Sequence, residues 1–271
     1  MNKFSVLISV YIKENPQFLK LSLESVINQT TQPNEIVIVK DGKLTLELDK
    51  MIDTFKKKYN DLINIIELEE NVGLGEALRE GVSKCKYDII ARMDSDDICV
   101  KNRFELQLQI LEKDNGIEIV GSYIDEFEGD ETNVISSRKV PLSREDIYKY
   151  AKSRNPFNHQ TVMFRKAAIL KVGNYKDFLW NEDYYLWVRM INSNLNMINI
   201  PKPLVLVRTG KDLFARRGGL KYAKVDFKLQ KKFLEIKFIN YMQFTKNCII
   251  RIGVRIIPNS IRKQIYLKLL R

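Results

Sequence analysis

The chain has 271 residues, 45% of them apolar, enough to bury a full core as one large domain or as a domain with an extension. Its net charge of +11 is unevenly placed: residues 1–201 carry 27 Lys+Arg against 31 Asp+Glu, whereas residues 202–271 carry 18 against 3. Three scattered cysteines (Cys85, Cys99, Cys248) make neither a metal framework nor an even disulfide set and fit a reducing compartment, and the N-terminal run reads as neither a signal peptide nor a membrane span.

In chain order, residues 4–10 read as a buried strand, and Pro16 opens a helix with Phe18, Leu19, Leu23, Val26 and Ile27 on one face. Residues 35–39 form a second strand running into Lys40-Asp41-Gly42, locally an ordinary turn. A helix with Leu48, Met51, Ile52 and Phe55 leads to a third strand at 63–68. Asn71-Val72-Gly73-Leu74-Gly75 then turns into a helix ending near Ser83, with Gly73 suited to positive φ. Lacking a third glycine, this turn is not a dinucleotide fingerprint.

Strand 89–93 comes next and ends in Asp94, Asp96 and Asp97, three carboxylates within four residues. Like charges at the end of a core strand repel one another. They belong either to a solvated loop in which Asp97 caps the next helix, or to a site for a hard divalent cation with positions open to phosphate oxygens. Four strand–helix alternations with short connections predict a parallel sheet with helices on both faces. Ligands of such sheets gather beyond the carboxyl ends of the strands, where the motifs after Val10, Val39 and Met93 lie.

A helix at 102–113, a strand at 117–123, a polar hairpin or loop over about 126–139, and partly antiparallel strands at 161–165 and 198–208 follow. His159, the single histidine, sits in Asn155-Pro156-Phe157-Asn158-His159-Gln160 as either a hydrogen-bonded structural residue or a functional one. Asn181-Glu182-Asp183-Tyr184-Tyr185-Leu186-Trp187 places two carboxylates at a helix start, where the dipole favours them. They either cap that helix or supply a general base beside an apolar-aromatic wall. Arg216-Arg217-Gly218-Gly219 reads as a mobile phosphate clamp or a solvated linker.

From Leu220, the residues Tyr222, Val225, Leu229, Phe233, Ile236 and Ile239 recur at helical steps, with Lys221, Lys224, Lys228, Lys231 and Lys232 mainly off that stripe. Residues 248–257 and 261–270 repeat the mixture around Pro258. Such basic amphipathic helices lie in a membrane interface, or use the stripe to pack on the protein or make a dimer.

Six pieces in this order resemble the inverting family 2 glycosyltransferases of the GT-A fold, within them the amylovoran, O-antigen and exopolysaccharide subgroup. They are Val6-Leu7-Ile8-Ser9-Val10-Tyr11, Lys40-Asp41-Gly42, the run from Asn71 to Leu78, Arg92-Met93-Asp94-Ser95-Asp96-Asp97, the run from Asn158 to Phe164, and the run from Glu182 to Trp187. The resemblance implies a Rossmann-like, mostly parallel GT-A catalytic domain over residues 1–210 and a basic C-terminal amphipathic helical extension over 211–271. It implies a UDP-sugar donor, with UDP-galactose or UDP-glucose favoured, a polyprenyl-diphosphate-linked sugar acceptor, and Mn²⁺ or Mg²⁺.

On the same ground, Ser9, Val10 and Tyr11 would line the nucleotide base with Asp41, Asn71 and Gly73 nearby, and Arg79 would lie close to the diphosphate or base. Arg92 and Ser95 would complete the donor side, Asp94 would contact the ribose, and Asp96 with Asp94 would hold the metal. Arg216 or Arg217 would close over the leaving group. Asp183, paired with Glu182, would be the catalytic base, and His159, Trp180 and Tyr184 would face the acceptor. Many relatives have two adjacent acids where this chain has Lys40-Asp41, which leaves Asp41 to serve both uracil and ribose. The expected place is cytoplasmic, at the inner face of the cell membrane, docked on anionic lipid through residues 220–271; self-association is open, and no nucleic-acid partner is expected. Two alternatives differ in class: a non-catalytic scaffold of a polysaccharide assembly complex, and a nucleotidyltransferase. The latter would show a glycine-rich basic loop where this chain has Tyr11-Ile12-Lys13-Glu14.

Overall fold

The computed structural model describes residues 2–210 and 218–257. Strands β1 (Phe4–Val10), β2 (Glu35–Lys40), β3 (Ile63–Glu67) and β4 (Ile89–Met93) pair in parallel in the order β3-β2-β1-β4, as the alternation predicts. Their crossovers are α1 (Pro16–Ile27), α2 (Leu46–Lys58) and α3 (Leu74–Lys84). Past β4 the sheet changes character. β8 (Met163–Arg165) is antiparallel to both β4 and β6 (Ile117–Phe127), and β9 (Asn196–Arg208) runs parallel to β6. β5 (Ile98–Cys99) edges β9, and β7 (Val134–Arg138) forms the expected hairpin with β6. With β1 on one side and β8 on the other, β4 delivers its three aspartates to the middle of the sheet's rim.

Strand alternation sorts the core into two faces. Val6, Ile8, Val10, Ile36 and Ile38 pack against α1, α2 and α4 (Arg103–Lys113). Leu7, Val37, Val39 and Ile90 pack against α3, α5 (Arg144–Ala151), α6 (Lys166–Lys171) and α7 (Glu182–Asn192). Each fully buried aliphatic is worth about 1.5–3 kcal/mol, so the strands are held chiefly by these two faces. α3 sits directly on the sheet at Gly81, where a Cβ would come within 2.9 Å of Val39 Cγ2 and overlap Leu7.

The differences from expectation have local causes. α5 buries only Ile147 and Ala151, too short a stripe to show a period, and it is set instead by Ser143, whose hydroxyl accepts from Asp146 N at 3.2 Å. β9 begins earlier than predicted because it pairs with β6 along most of its length, with Pro203 at a register shift where the ladder tolerates a missing donor.

Helices α8 (Leu220–Glu235) and α9 (Tyr241–Ile256) form a C-terminal hairpin, α9 opening on a reciprocal Asn240–Gln243 capping box. The predicted stripe stops being helical at Ile236, but its middle packs on the body of the protein. Leu229, Phe233, Phe238 and Ile239 join the core beneath α5 and α7, with Tyr184 and Phe233 edge-to-face at 4.9 Å. Lys221, Lys224, Lys228, Lys231 and Lys232 stay exposed. No helix among the described residues is long and apolar enough to cross a membrane.

Candidate functional site

Asp94, Asp96 and Asp97 bring carboxylate oxygens within 4.8 Å of one another. Ser22 Oγ on α1 donates to the Asp94 carbonyl at 2.8 Å, Asp94 is ion-paired with Arg92, and Asp97 accepts from Arg208 N at 2.9 Å. Burial, then the Asp94 charge, pushes Asp96 up to about 6. Burial and the charges of Asp96 and Asp94 push Asp97 well above the usual carboxylate range. A further acid joins them: Glu14, in the turn after β1, bonds to Ser95 and is pushed up to about 7 by burial and by Asp96. Oxygen-only groups that destabilise one another's charge are suited to a hard divalent cation such as Mg²⁺ or Mn²⁺, so the residues fit the metal.

The second part of the rim is fastened by Asp41, which is 3% exposed. Its Oδ1 accepts from Val72 N at 2.8 Å, and its Oδ2 from Gly73 N and Asn71 Nδ2, both at 3.1 Å. Gly42, at φ +80°, lets the two turns touch, since a Cβ there would lie 2.6 Å from Asn71 N. The Asp41 carboxylate thus holds the Asn71–Gly73 turn. Lys40 pairs with Asp49 at 2.7 Å and Glu67 at 2.5 Å, which ties β2 to α2 and β3.

Other expected donor residues fall differently. The Val10 side chain is buried on the α1 side and its carbonyl accepts from Asp41 N at 2.8 Å, which leaves only its backbone near the rim. Ser9 is half-buried at the rim and Tyr11 is exposed. Arg79 lies on the exposed side of α3 in a 3.0 Å pair with Glu76. Arg216 and Arg217 lie outside the described residues.

The other half of the site is a cavity of about 760 Å³ whose lining includes Asp183, Trp180, His159 and Tyr184. Asp183, on the first turn of α7, accepts from Asn155 Nδ2 at 2.6 Å; burial raises its pKa and this hydrogen bond opposes the rise. Arg138 secures the Asn155 loop, donating to Asn155 O at 2.9 Å and Asn158 Oδ1 at 2.6 Å. Glu182 faces elsewhere: its Cβ would be 3.1 Å from a Cβ on Gly75, against α3 and away from the cavity lining. Burial and then the Asp183 charge push Glu182 up to about 8. Arg92 is buried between the two halves, and its positive charge acts on Asp94's neighbours as well as on Glu182 and Asp183. Its Nε and Nη1 find no hydrogen-bond partner among the described residues.

His159 Nε2 lies 2.9 Å from the Tyr175 hydroxyl, and burial together with Arg92 keeps the imidazole neutral, well below its ordinary pKa. Tyr184 donates to Ala151 O at 2.7 Å, so its ring forms wall while its hydroxyl is satisfied. Trp180, in the left-handed region at φ 61°, stacks on Tyr222 of α8 at 3.7 Å and 10°, and both line the cavity. Sequence reasoning passed over Glu14, Asn155, Arg138, Tyr175 and the α9 wall. Glu14 was reachable by the strand-end rule and Asn155 lay in a quoted motif, whereas nothing local marks the others. Chemically, the arrangement offers acids for a cation and phosphates on one side, and on the other a carboxylate against aromatics able to deprotonate an alcohol.

A family model described as glycosyl transferase family 2 matches residues 5–175. The chain is 42% identical over 269 residues, 99% of its own length and 97% of the other's, to a UDP-Gal:alpha-D-GlcNAc-diphosphoundecaprenol beta-1,3-galactosyltransferase of Escherichia coli. It is 38% identical over 265 residues, 98% of both chains, to the amylovoran biosynthesis glycosyltransferase AmsE of Erwinia amylovora. Among solved structures, the mannosyltransferase PcManGT from Pyrobaculum calidifontis, in complex with GDP-Man and Mn²⁺, is similar with a TM-score of 0.66 at 14% identity, over 91% of this chain and 68% of that one.

Proposed function

The chain belongs to glycosyl transferase family 2, with the GT-A fold, and from that premise we propose that it moves a hexose, galactose before glucose, from UDP to a hydroxyl of a polyprenyl-diphosphate-linked sugar, with inversion. The observation that carries this reading is the division of acids: a cluster at the end of β4, and a separate carboxylate, Asp183, lining a large cavity. The likeness to the E. coli galactosyltransferase, which runs the length of both chains, supports the donor and acceptor classes.

In the proposed reaction the acceptor oxygen attacks the anomeric carbon from the side opposite the diphosphate. The bond to the diphosphate oxygen breaks, UDP leaves with that electron pair, and the hydroxyl proton passes to Asp183. One base and no carboxylate nucleophile give a single displacement, hence inversion. Asp94 and Asp96, with Asp97 and Glu14 beside them, would hold Mn²⁺ or Mg²⁺, which when bound neutralises charge on the leaving diphosphate. Asn155 aims Asp183 and opposes its protonation. Ser9, Tyr11 and Asn71 stand at the donor rim, and the Trp180–Tyr222 stack offers an apolar face to the acceptor sugar.

We place the enzyme at the inner face of the cell membrane. Tyr241, Met242 and Ile249 are 78%, 82% and 69% exposed on α9, beside basic residues, which suits an anionic interface. A chain ending near Gly219 would lose Leu229 and Phe233 from the core, so the better variant is Met242→Asp with Ile249→Asp. Undiminished flotation of this variant with anionic vesicles rejects membrane docking. For the reaction, UDP-galactose, UDP-glucose and their N-acetyl forms are offered with Mn²⁺ and a synthetic lipid-diphosphate GlcNAc, and products are read by mass spectrometry. Transfer from UDP-galactose is expected; no transfer from any donor favours the scaffold reading.

A further inference from the structure

Resting on that reading of the acceptor, we propose that the α9 wall of the cavity, with Arg154 facing it, is a binding subsite for the acceptor's diphosphate, and that its isoprenoid leaves along the outer face of α9. Lys246, Ile250, Arg251, Val254 and Arg255 all line the cavity. Their spacing puts them on one side of the helix. Arg154, Arg138 and Arg208 also line it, and among the described residues the carboxylates of the lining are Asp183 and Glu126. Cations therefore outnumber carboxylates in the described lining.

The α9 guanidiniums are held in place. Asp226, 1% exposed on α8, accepts from Arg251 Nη2 at 2.6 Å and Arg255 Nε at 2.7 Å, and Arg251 Nη1 donates to Ser153 O at 3.2 Å. The carboxylate behind the two guanidiniums orients them along the cavity wall, an arrangement that recognises a phosphorylated group.

Lys246 and Ile250 also line a shallow apolar groove with Met242, Thr245 and Ile249, so the cavity opens directly onto the exposed face of α9. The cavity brings together a carboxylate with aromatics, Asp183 and the Trp180–Tyr222 stack, and the α9 cations beside them, with Arg255 over the Tyr222 ring at 5.1 Å. Through Lys246 and Ile250 it shares its lining with exposed aliphatics. A sugar, a diphosphate and a polyprenyl chain are joined in that order. A free phosphate would leave the groove unused.

The test compares Lys246→Glu and Arg154→Glu with the unaltered enzyme on two acceptors, GlcNAc on a lipid diphosphate and the same sugar as an alkyl glycoside without phosphate. KM for the diphosphate acceptor should rise at least about tenfold, with KM for the UDP-sugar and for the alkyl glycoside unmoved, and Lys246→Arg should restore it. Equal rises on both acceptors, or none on either, overturn the subsite. Titration with farnesyl diphosphate reads the same site without turnover, and its affinity should fall by the same factor. Loss of binding to phosphatidylglycerol vesicles with farnesyl diphosphate affinity unchanged would assign the cations to the membrane and also overturn it. If the unaltered enzyme transfers no sugar yet binds farnesyl diphosphate through Lys246 and Arg154, the catalytic reading fails and the subsite stands.

Discussion

The rim proposed for the donor and the cavity proposed for the acceptor are built from opposite kinds of material. At the rim, Asp94, Asp96 and Asp97 come from one stretch of chain at the end of one strand, crowded until burial and neighbouring charge raise the pKa values of Asp96 and Asp97. In the cavity, Asp183 on α7, Asn155 in a loop, Arg138 on β7 and Arg251 on α9 come from four separate places, and each of these three charged groups has a protein partner. The rim is therefore poised for a ligand to relieve it, while the cavity is preorganised before a ligand arrives. A metal-dependent hold on a nucleotide suits the first, and aiming an alcohol at a base suits the second.

The widest separation of the two halves is expected from Asp183→Asn. It should lower kcat by a factor on the order of 10²–10⁴ while UDP titration with Mn²⁺ shows unchanged affinity. A variant that keeps most of its rate removes Asp183 as the base. Asp96→Asn should do the reverse, with kcat/KM falling by on the order of 10² and Mn²⁺-dependent UDP affinity lost. Farnesyl diphosphate binding should persist in that variant, and if both ligands are lost together the halves are not separate.

Asp226→Asn attacks the cavity through its support. Leaving Arg251 and Arg255 without their buried counter-charge should cost about 3–5 kcal/mol, read as a lower denaturation midpoint. A midpoint near the unaltered protein's would mean the pair is solvent-relaxed.

The smallest expected effect is in pH. Burial raises both Glu182, to about 8, and Asp183, so the rate should climb with pH through a range above ordinary carboxylates, as the base ionises. Stability has the opposite sign. With folded values above unfolded ones, the stabilisation from the protonated pair is complete below the ordinary carboxylate pKa and is lost as pH rises through the raised values. Asn155→Ala removes a hydrogen bond that favours the ionised form, so the acid limb should move to higher pH, with less than about a tenfold loss on the alkaline plateau. A limb that stays put or moves down contradicts the role given to Asn155.

Much of the scaffold is legible along the chain because its signals are short-range. Val6, Ile8 and Val10 alternate with Leu7, Pro16 opens α1, and the polar motifs fall at strand ends, so β1–β4 and the rim follow from periodicity and connection rules. Asp41 shows where that reasoning stops. Its position at the end of β2 was visible, but three hydrogen bonds to a turn thirty residues on were not. The pair Glu182 and Asp183 shows it again: adjacent in the chain, they point to α3 and to the cavity, a choice made by where α7 lands.

Sequence alone determined the strand–helix alternation, the rim of aspartates, the acid pair at the start of α7 and the basic character of the C-terminal helices, because propensity, alternation and charge act between near neighbours. Tertiary structure decided that Glu14 joins the rim, that Asp183 and not Glu182 reaches the cavity, and that Asp226 turns two α9 guanidiniums inward. Those outcomes depend on side chains meeting across long stretches of chain, and only the burial of the two sheet faces brings such partners together.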